Sequence, residues 1–131
     1  MIVLDASSLI ELLLCTAKGR KVAARIADPT VGLHAPHLVD VEVAQVLRRL
    51  LRIGEIDIKT AEMALRNLLD LDVERHAHGA LLGRVWSLRR NLTAYDAVYV
   101  ALAEALGAKL LTCDEKLALS PGMRRLTILI R

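Results

Sequence analysis

The chain has 131 residues, of which 54% are hydrophobic, 25% are charged and 2% are aromatic, and its formal net charge is +3. This length predicts a single domain over residues 1–131, and no uncharged apolar stretch approaches the roughly 18 residues that span a membrane. The shortage of aromatic residues argues against binding of single-stranded nucleic acid by base stacking, whereas the mild basicity allows a polyanionic substrate without requiring one.

The first half of the chain alternates short apolar runs with helical patterns. Ile2–Leu4 predicts a strand that is buried on both faces, and Ser8 is expected to cap the following helix with Glu11 as its capping-box partner. The remaining elements predicted in this half are a helix over 18–25, a strand over 31–35, a helix over 38–53 and a helix over 60–69.

The second half continues the alternation. Thr93 is expected to cap a helix in which Asp96 completes a capping box and which ends at Gly107, and Thr112 is expected to cap a short helix that reaches 119. The other predicted elements are strands over 71–74, Lys109–Thr112 and 126–130 and a helix over 79–90. Strands that alternate with helices predict an α/β fold, in which a central parallel sheet of about five strands lies between two layers of helices.

Four acidic residues fall near the ends of the predicted strands. Asp5 directly follows the first strand, Asp114 lies just past the fourth, and Glu42 and Asp96 lie in the first turns of helices. Each of them alone can be explained as a residue that stabilises a helix N-terminus. Because ligands of parallel sheets bind beyond the carboxyl ends of the strands, the four acids could also converge on one edge of the sheet.

Converging carboxylates need a positive charge nearby. Two carboxylates about 4 Å apart repel by roughly 4 kcal/mol at an effective dielectric near 20, and no Lys or Arg is adjacent in sequence to Asp5, Glu42 or Asp96. Clustered oxygen ligands suit Mg²⁺ or Mn²⁺ better than Zn²⁺. Such ions activate water for phosphodiester hydrolysis, so the pattern indicates a metal-dependent hydrolase.

Three stretches, MIVLDASSLIELL, APHLVDVEVAQVLRRL and LTAYDAVYVALAEALGAKLLTCDEKLA, occur in this order. They resemble the PIN-domain ribonucleases, and specifically the VapC-type toxins of prokaryotic toxin–antitoxin modules, along almost the whole chain. The resemblance implies a PIN-like α/β/α domain that hydrolyses RNA (EC 3.1 class) with a water activated by Mg²⁺ or Mn²⁺. It implies that the catalytic and metal-binding acids are Asp5, Glu42, Asp96 and Asp114, with supporting hydroxyl groups on Ser7 and Thr112. Whether Asp40 or Glu115 also contributes stays open.

The resemblance also implies partners. A VapB-type antitoxin is expected in a groove between helices and a second copy of the chain in a homodimer, in agreement with the high hydrophobic content. The N-terminal run lacks a basic start and is interrupted by Asp5 and Glu11, so it is not expected to be a signal peptide and the cytoplasm is the expected location.

Other residues and functions have competing interpretations. The arginines are either solvated or hold RNA phosphates, and His76 and His78 are expected in a solvent-facing loop rather than at a metal. Cys15 and Cys113 are expected to be small buried hydrophobic residues. The alternative function is a PIN module that binds RNA or protein without cleavage. An aspartate-phosphorylated receiver is a third hypothesis, but no lysine stands near the end of a late strand as that chemistry requires.

Overall fold

The computed structural model describes residues 1–131 and contains five strands in one sheet. The strands are β1 (Ile2–Leu4), β2 (Leu33–Pro36), β3 (Val73–His76), β4 (Lys109–Thr112) and β5 (Thr127–Leu129). Their order is β3-β2-β1-β4-β5 and every neighbouring pair is parallel. The predicted α/β class with five parallel strands is therefore confirmed.

Seven helices connect the strands. They are α1 (Ala6–Leu13), α2 (Ala17–Arg25), α3 (Leu38–Arg52), α4 (Ile58–Asp70), α5 (Leu82–Ser87), α6 (Ala94–Leu106) and α7 (Glu115–Ala118). Helices α1 to α4 pack against one another as one group, and α5 packs against α6, which in turn contacts β1, β2 and β4. None of the helices combines the length and the apolar character that crossing a bilayer requires.

The core is aliphatic and centres on the two middle strands. Val3 and Leu4 of β1 and Leu110 and Leu111 of β4 are fully buried, since helices cover both faces of the sheet. Helix α6 is buried over the whole segment from 97 to 103, which explains why its sequence is apolar on every side. These central strands end beside one another, and their ends position the candidate site.

Two predicted helix caps were wrong. Asp5, rather than Ser8, caps α1, because its carboxylate accepts a hydrogen bond from the Ser8 amide at 2.9 Å. Asp114, rather than Thr112, caps α7 by accepting from the Lys116 amide at 2.9 Å. In both cases only one or two residues join the strand to the helix, and the last of them is the aspartate whose carboxylate accepts from the first free amides.

Several element boundaries also differ from the prediction. The helix predicted over 79–90 is a 3₁₀ turn (Gly79–Leu81) followed by α5, which ends at Ser87 where the hydroxyl donates to the carbonyl of Arg84. Strand β3 starts later than predicted, at Val73, and extends through His76. His76 therefore belongs to the sheet and not to a loop, which corrects the expectation for this residue.

Candidate active site

All four predicted acids line one cleft at the carboxyl-terminal edge of the sheet. The cleft has a volume of about 330 Å³, and Asp5, Glu42, Asp96 and Asp114 contribute to its wall together with Arg49. Asp5 follows β1 and Asp114 follows β4, and these strands are neighbours in the sheet. The parallel direction of the strands thus brings together acids that are far apart in the sequence.

Asp5 is buried and held by several hydrogen bonds. The Ser7 hydroxyl lies 2.8 Å from Oδ1 and 2.9 Å from Oδ2, the Ser8 amide donates to Oδ1, and the Thr112 hydroxyl donates to Oδ2 at 2.5 Å. These contacts fix the plane of the carboxylate. Ser7 and Thr112, the hydroxyl residues predicted to support the site, both contact Asp5.

Ser7 and Thr112 also order the segment after β4. The Ser7 hydroxyl accepts a hydrogen bond from the Cys113 amide at 2.9 Å, and the Thr112 hydroxyl accepts one from the Asp114 amide at 2.9 Å. The two hydroxyl oxygens lie 3.2 Å apart. The network therefore couples the position of Asp5 to the backbone that carries Asp114.

Glu42 is half-buried on α3 and is held from the opposite helix layer. The Tyr99 hydroxyl on α6 donates a hydrogen bond to Glu42 Oε1 at 2.8 Å. Tyr99 is itself buried and lines the cleft, and it was not among the site residues predicted from the sequence. The only signal was its position one turn after Asp96, inside a run that is otherwise aliphatic.

Asp96 and Asp114 belong to helix N-termini, as their positions predicted. The Asp96 amide donates to the Thr93 hydroxyl at 3.1 Å, and Asp114 Oδ1 accepts from two amides of α7. Capping does not exclude a role in the cleft, because each residue lies on the cleft wall as well. Asp114 has one carboxylate oxygen engaged as the cap of α7.

The electrostatics of the cleft disfavour ionised carboxylates. Burial raises the pKa of Asp5, of Glu42 and of Asp96, and repulsion from Asp114 raises the pKa of Asp96 further. Hydrogen bonds from Thr112 to Asp5 and from Tyr99 to Glu42 partly oppose the rise. None of the four acids forms an ion pair within 4.0 Å of a Lys, Arg or His. The site therefore carries negative charge that no side chain neutralises directly.

The two acids that sequence analysis left open are paired elsewhere. Asp40 accepts hydrogen bonds from both Nε and Nη2 of Arg75 on β3, and Glu115 forms an ion pair with Arg131 at 2.9 Å. Neither lines the cleft. Their charges are compensated, so they differ in kind from the four acids described above.

The cysteines follow the prediction only in part. Cys113 is partly buried beside the cleft, and burial together with the charge of Asp5 raises the pKa of its thiol to about 11. Cys15 is exposed, in a left-handed conformation with φ of 55° in the turn between α1 and α2, so its expected burial was wrong.

The donor set fits a hard divalent cation. The cleft presents carboxylate oxygens and no imidazole, and its lone thiol keeps a raised pKa, so Mg²⁺ or Mn²⁺ suits it better than Zn²⁺. A cation at this position would offset both the burial and the mutual repulsion that raise the carboxyl pKa values. The predicted acids Asp5, Glu42, Asp96 and Asp114 could hold it. Glu11 also lines the cleft, but its carboxylate accepts a hydrogen bond from the Thr16 hydroxyl.

Known proteins resemble the chain along most of its length. The model of the PIN domain family matches residues 2–120. The chain is 42% identical over 118 residues to VapC ribonuclease Mb0985 of Mycobacterium bovis, covering 90% of this chain and 89% of the relative. It is 43% identical over 122 residues to ribonuclease VapC12 of Mycobacterium tuberculosis, covering 93% of each.

Two solved structures share the fold. PAE2754 from Pyrobaculum aerophilum superposes with a TM-score of 0.66 at 28% identity, over 88% of this chain and 76% of that chain. Mycobacterium tuberculosis VapC20, described as a sarcin–ricin loop cleaving toxin, superposes with a TM-score of 0.65 at 16% identity, over 90% and 93%. At that identity the second likeness concerns the fold alone.

Proposed function

Because the chain belongs to the PIN-domain family and is a relative of the VapC ribonucleases, we propose that it is the ribonuclease toxin of a VapBC toxin–antitoxin module and depends on Mg²⁺ or Mn²⁺. The observation that carries the catalytic part is the convergence of four acids on one cleft without a basic ion-pair partner. Asp5, Glu42 and Asp96 are the proposed principal ligands. Asp114 completes the acidic wall.

The reaction is hydrolysis of an RNA phosphodiester. Water adds to phosphorus, a P–O ester bond breaks, and the leaving oxygen takes up a proton. A bound divalent ion supplies activation of the water and compensation of the charge that develops on the phosphate. No serine nucleophile is required, since Ser7 is committed to Asp5 and to the Cys113 amide.

The side chains around the acids position the carboxylates and the substrate for this chemistry. Ser7 and Thr112 hold Asp5 in one orientation, and the Tyr99 hydroxyl does the same for Glu42. Arg49 is exposed at the cleft wall, where its guanidinium can hold a phosphate of the substrate next to the acids.

The antitoxin partner is proposed on the relatives and on a groove next to the cleft. A groove of about 480 Å³ is bounded by α1, α3 and the segment after α3, and it shares Ile10, Glu11, Val46 and Arg49 with the acidic cleft. An antitoxin segment in this groove would contact apolar side chains and reach the acids or Arg49. RNA as the substrate implies the cytoplasm as the site of action. The homodimer remains a proposal drawn from the family.

A cleavage assay separates this function from that of a non-cleaving RNA- or protein-binding module. Purified protein is incubated with structured RNA in Mg²⁺, in Mn²⁺ and with a chelator, next to the variant Glu42→Gln, which keeps the size of the side chain and a hydrogen-bond acceptor for Tyr99. We expect cleavage by the unmodified protein with either metal and none by the variant or with the chelator. RNA binding without any cleavage would favour the binding module.

A further inference from the structure

A second cluster of metal-ligand side chains lies on the edge strand β3 and its neighbour β2. His34 stands on β2, and Glu74 and His76 stand on the edge strand β3. The strand register places His34 opposite Glu74 and Pro36 opposite His76. None of the three ligand residues lines the acidic cleft, so the proposed nuclease chemistry does not use them.

The three side chains share one face of the sheet. Residues two apart in a strand point to the same face, and residues paired in register do so as well. Arg75, which lies between the two β3 ligands, points to the opposite face and donates to Asp40 on α3 and to the carbonyl of Leu68 on α4. The alternation along β3 therefore leaves Glu74 and His76 together beside His34.

The distances between the ligand atoms suit one small cation. His34 Nδ1 lies 3.0 Å from His76 Nε2 and 3.5 Å from Glu74 Oε2. One such atom from each residue lies within 4.8 Å of the others. Tetrahedral coordination with bonds of about 2.0–2.1 Å separates neighbouring ligand atoms by roughly 3.3 Å. The two shortest distances lie on either side of that value.

The surroundings combine a rigid ligand with an adaptable one. The side chain of His34 is 11% exposed, whereas that of Glu74 is 69% exposed. Gly32 leaves room for the His34 ring, since a Cβ at position 32 would lie 3.1 Å from His34 Nε2. The buried imidazole is thus fixed by packing, and the exposed carboxylate can adjust its position while water reaches the open side.

We propose that His34, Glu74 and His76 form a zinc-binding site that is distinct from the acidic cleft and ties the edge strand β3 to β2. Two imidazole nitrogens and one carboxylate oxygen are ligands of Zn²⁺ rather than of Mg²⁺, and water supplies the fourth position. Because Zn²⁺ would bind the folded chain and not the unfolded one, it would stabilise the folded state by mass action. The site would hold in place the strand that is paired on only one side.

The test reads the histidine rings directly. Protein labelled with ¹⁵N in its imidazoles is stripped of metal and titrated with Zn²⁺ near neutral pH while ring resonances are recorded. We expect the resonances of His34 and His76 to shift and to saturate at one equivalent, and those of His37 and His78 to stay unchanged. The melting temperature should rise over the same range. Rings of His34 and His76 that do not respond to Zn²⁺ would overturn the proposal and leave only the hydrogen bond between them.

Variants separate this site from the acidic cleft. His76→Gln and the exposed Glu74→Gln should each weaken Zn²⁺ binding by at least about 100-fold, since loss of an outer-shell partner alone costs roughly 10–100-fold. His37→Gln, an exposed neighbour outside the cluster, is the matched control and should bind normally. Unchanged affinity in Glu74→Gln and His76→Gln would contradict the assignment. Cleavage of RNA in Mg²⁺ should survive Glu74→Gln, so the two proposals fail independently.

Discussion

The hydroxyl of Thr112 donates a hydrogen bond to Oδ2 of Asp5, a residue 107 positions earlier in the sequence. The hydroxyl oxygen of Thr112 also accepts a hydrogen bond from the amide of Asp114. One fully buried side chain on β4 thus fixes the acid that follows β1 and the loop that carries another acid. The hydroxyl group, more than the size of the side chain, is what the site uses.

The substitution Thr112→Val tests this relationship while keeping the shape of the side chain. We expect a loss of roughly 1–3 kcal/mol in the free energy of unfolding, because a buried carboxylate and an amide lose their partner. RNA cleavage should fall between about 10-fold and 100-fold as Asp5 loses its fixed orientation. The control is Thr127→Val on β5, whose hydroxyl donates to the carbonyl of Met123 away from the cleft. Equal cleavage rates in the two valine variants would show that Thr112 does not support the site.

Much of the site was predictable because the sheet is parallel. Asp5 directly follows β1 and Asp114 lies two residues past β4, whereas Glu42 and Asp96 lie near the N-termini of α3 and α6. The direction of the strands and helices therefore sends all four acids to one edge of the sheet. The number of strands and the α/β class followed in the same way from alternating apolar runs. These features depend on the order of elements, which a single sequence displays.

Features that depend on contacts across the fold were not predictable. Tyr99 meets Glu42 only because α3 and α6 come together at the edge of the sheet, 57 residues apart in sequence. The pairing of His34 with His76 depends on β3 extending beyond its predicted end. The caps by Asp5 and Asp114 were missed because a Ser or Thr at the expected spacing competes on equal terms in a sequence pattern.

The hydrogen bond from Tyr99 to Glu42 predicts a specific effect on metal binding. Tyr99→Phe removes the donor that holds down the pKa of Glu42, so the carboxyl is less ionised and its orientation is free. We expect Mn²⁺ affinity, measured by calorimetry, to fall by roughly 10-fold. Tyr95→Phe is the control, because Tyr95 is exposed on the same helix. If both phenylalanine variants bind Mn²⁺ like the unmodified protein, the hydrogen bond has no part in metal binding.

The raised carboxyl pKa values predict how stability depends on pH. For Asp5, Glu42 and Asp96 the folded state favours the protonated form. Their contribution is fully present below the ordinary values, 3.8 for aspartate and 4.5 for glutamate, and is lost as pH rises through the raised folded values. In metal-free protein, Asp96→Asn should therefore become more stable relative to the unmodified chain as pH rises from about 4 to about 7.

A control with the opposite sign accompanies the pH series. Asp28 is exposed and its pKa is lowered by hydrogen bonds from Thr30, so Asp28→Asn should lose stability relative to the unmodified chain as pH rises. Urea denaturation at each pH measures both variants. Adding Mg²⁺ should remove the advantage of Asp96→Asn, since the ion compensates the charge that the substitution deletes. An advantage that persists at saturating Mg²⁺ would argue against Asp96 as a ligand.

Arg49 is predicted to hold the RNA backbone at the cleft. Its exposed guanidinium lines the acidic cleft and also a second depression with Arg48 and Arg52. Arg49→Ala should weaken RNA binding. The slope of log Kd against the logarithm of salt concentration should fall by about 0.7–0.9. Arg66→Ala on α4, an exposed arginine outside the cleft, should change neither. Filter binding at several salt concentrations measures both, and identical slopes would exclude a phosphate contact by Arg49.

The proposal that the clustered acids hold a catalytic metal is tested most directly by the rate of RNA cleavage as a function of Mn²⁺ concentration, for the unmodified chain and for Asp5→Asn. The asparagine can still accept from the Ser8 amide that caps α1, and circular dichroism and melting verify that the fold persists. We expect the cleavage rate of the unmodified chain to rise with Mn²⁺ concentration and to saturate. The variant should show no rate above background at any Mn²⁺ concentration. Full activity of Asp5→Asn, or cleavage that persists in a chelator, would contradict the proposal.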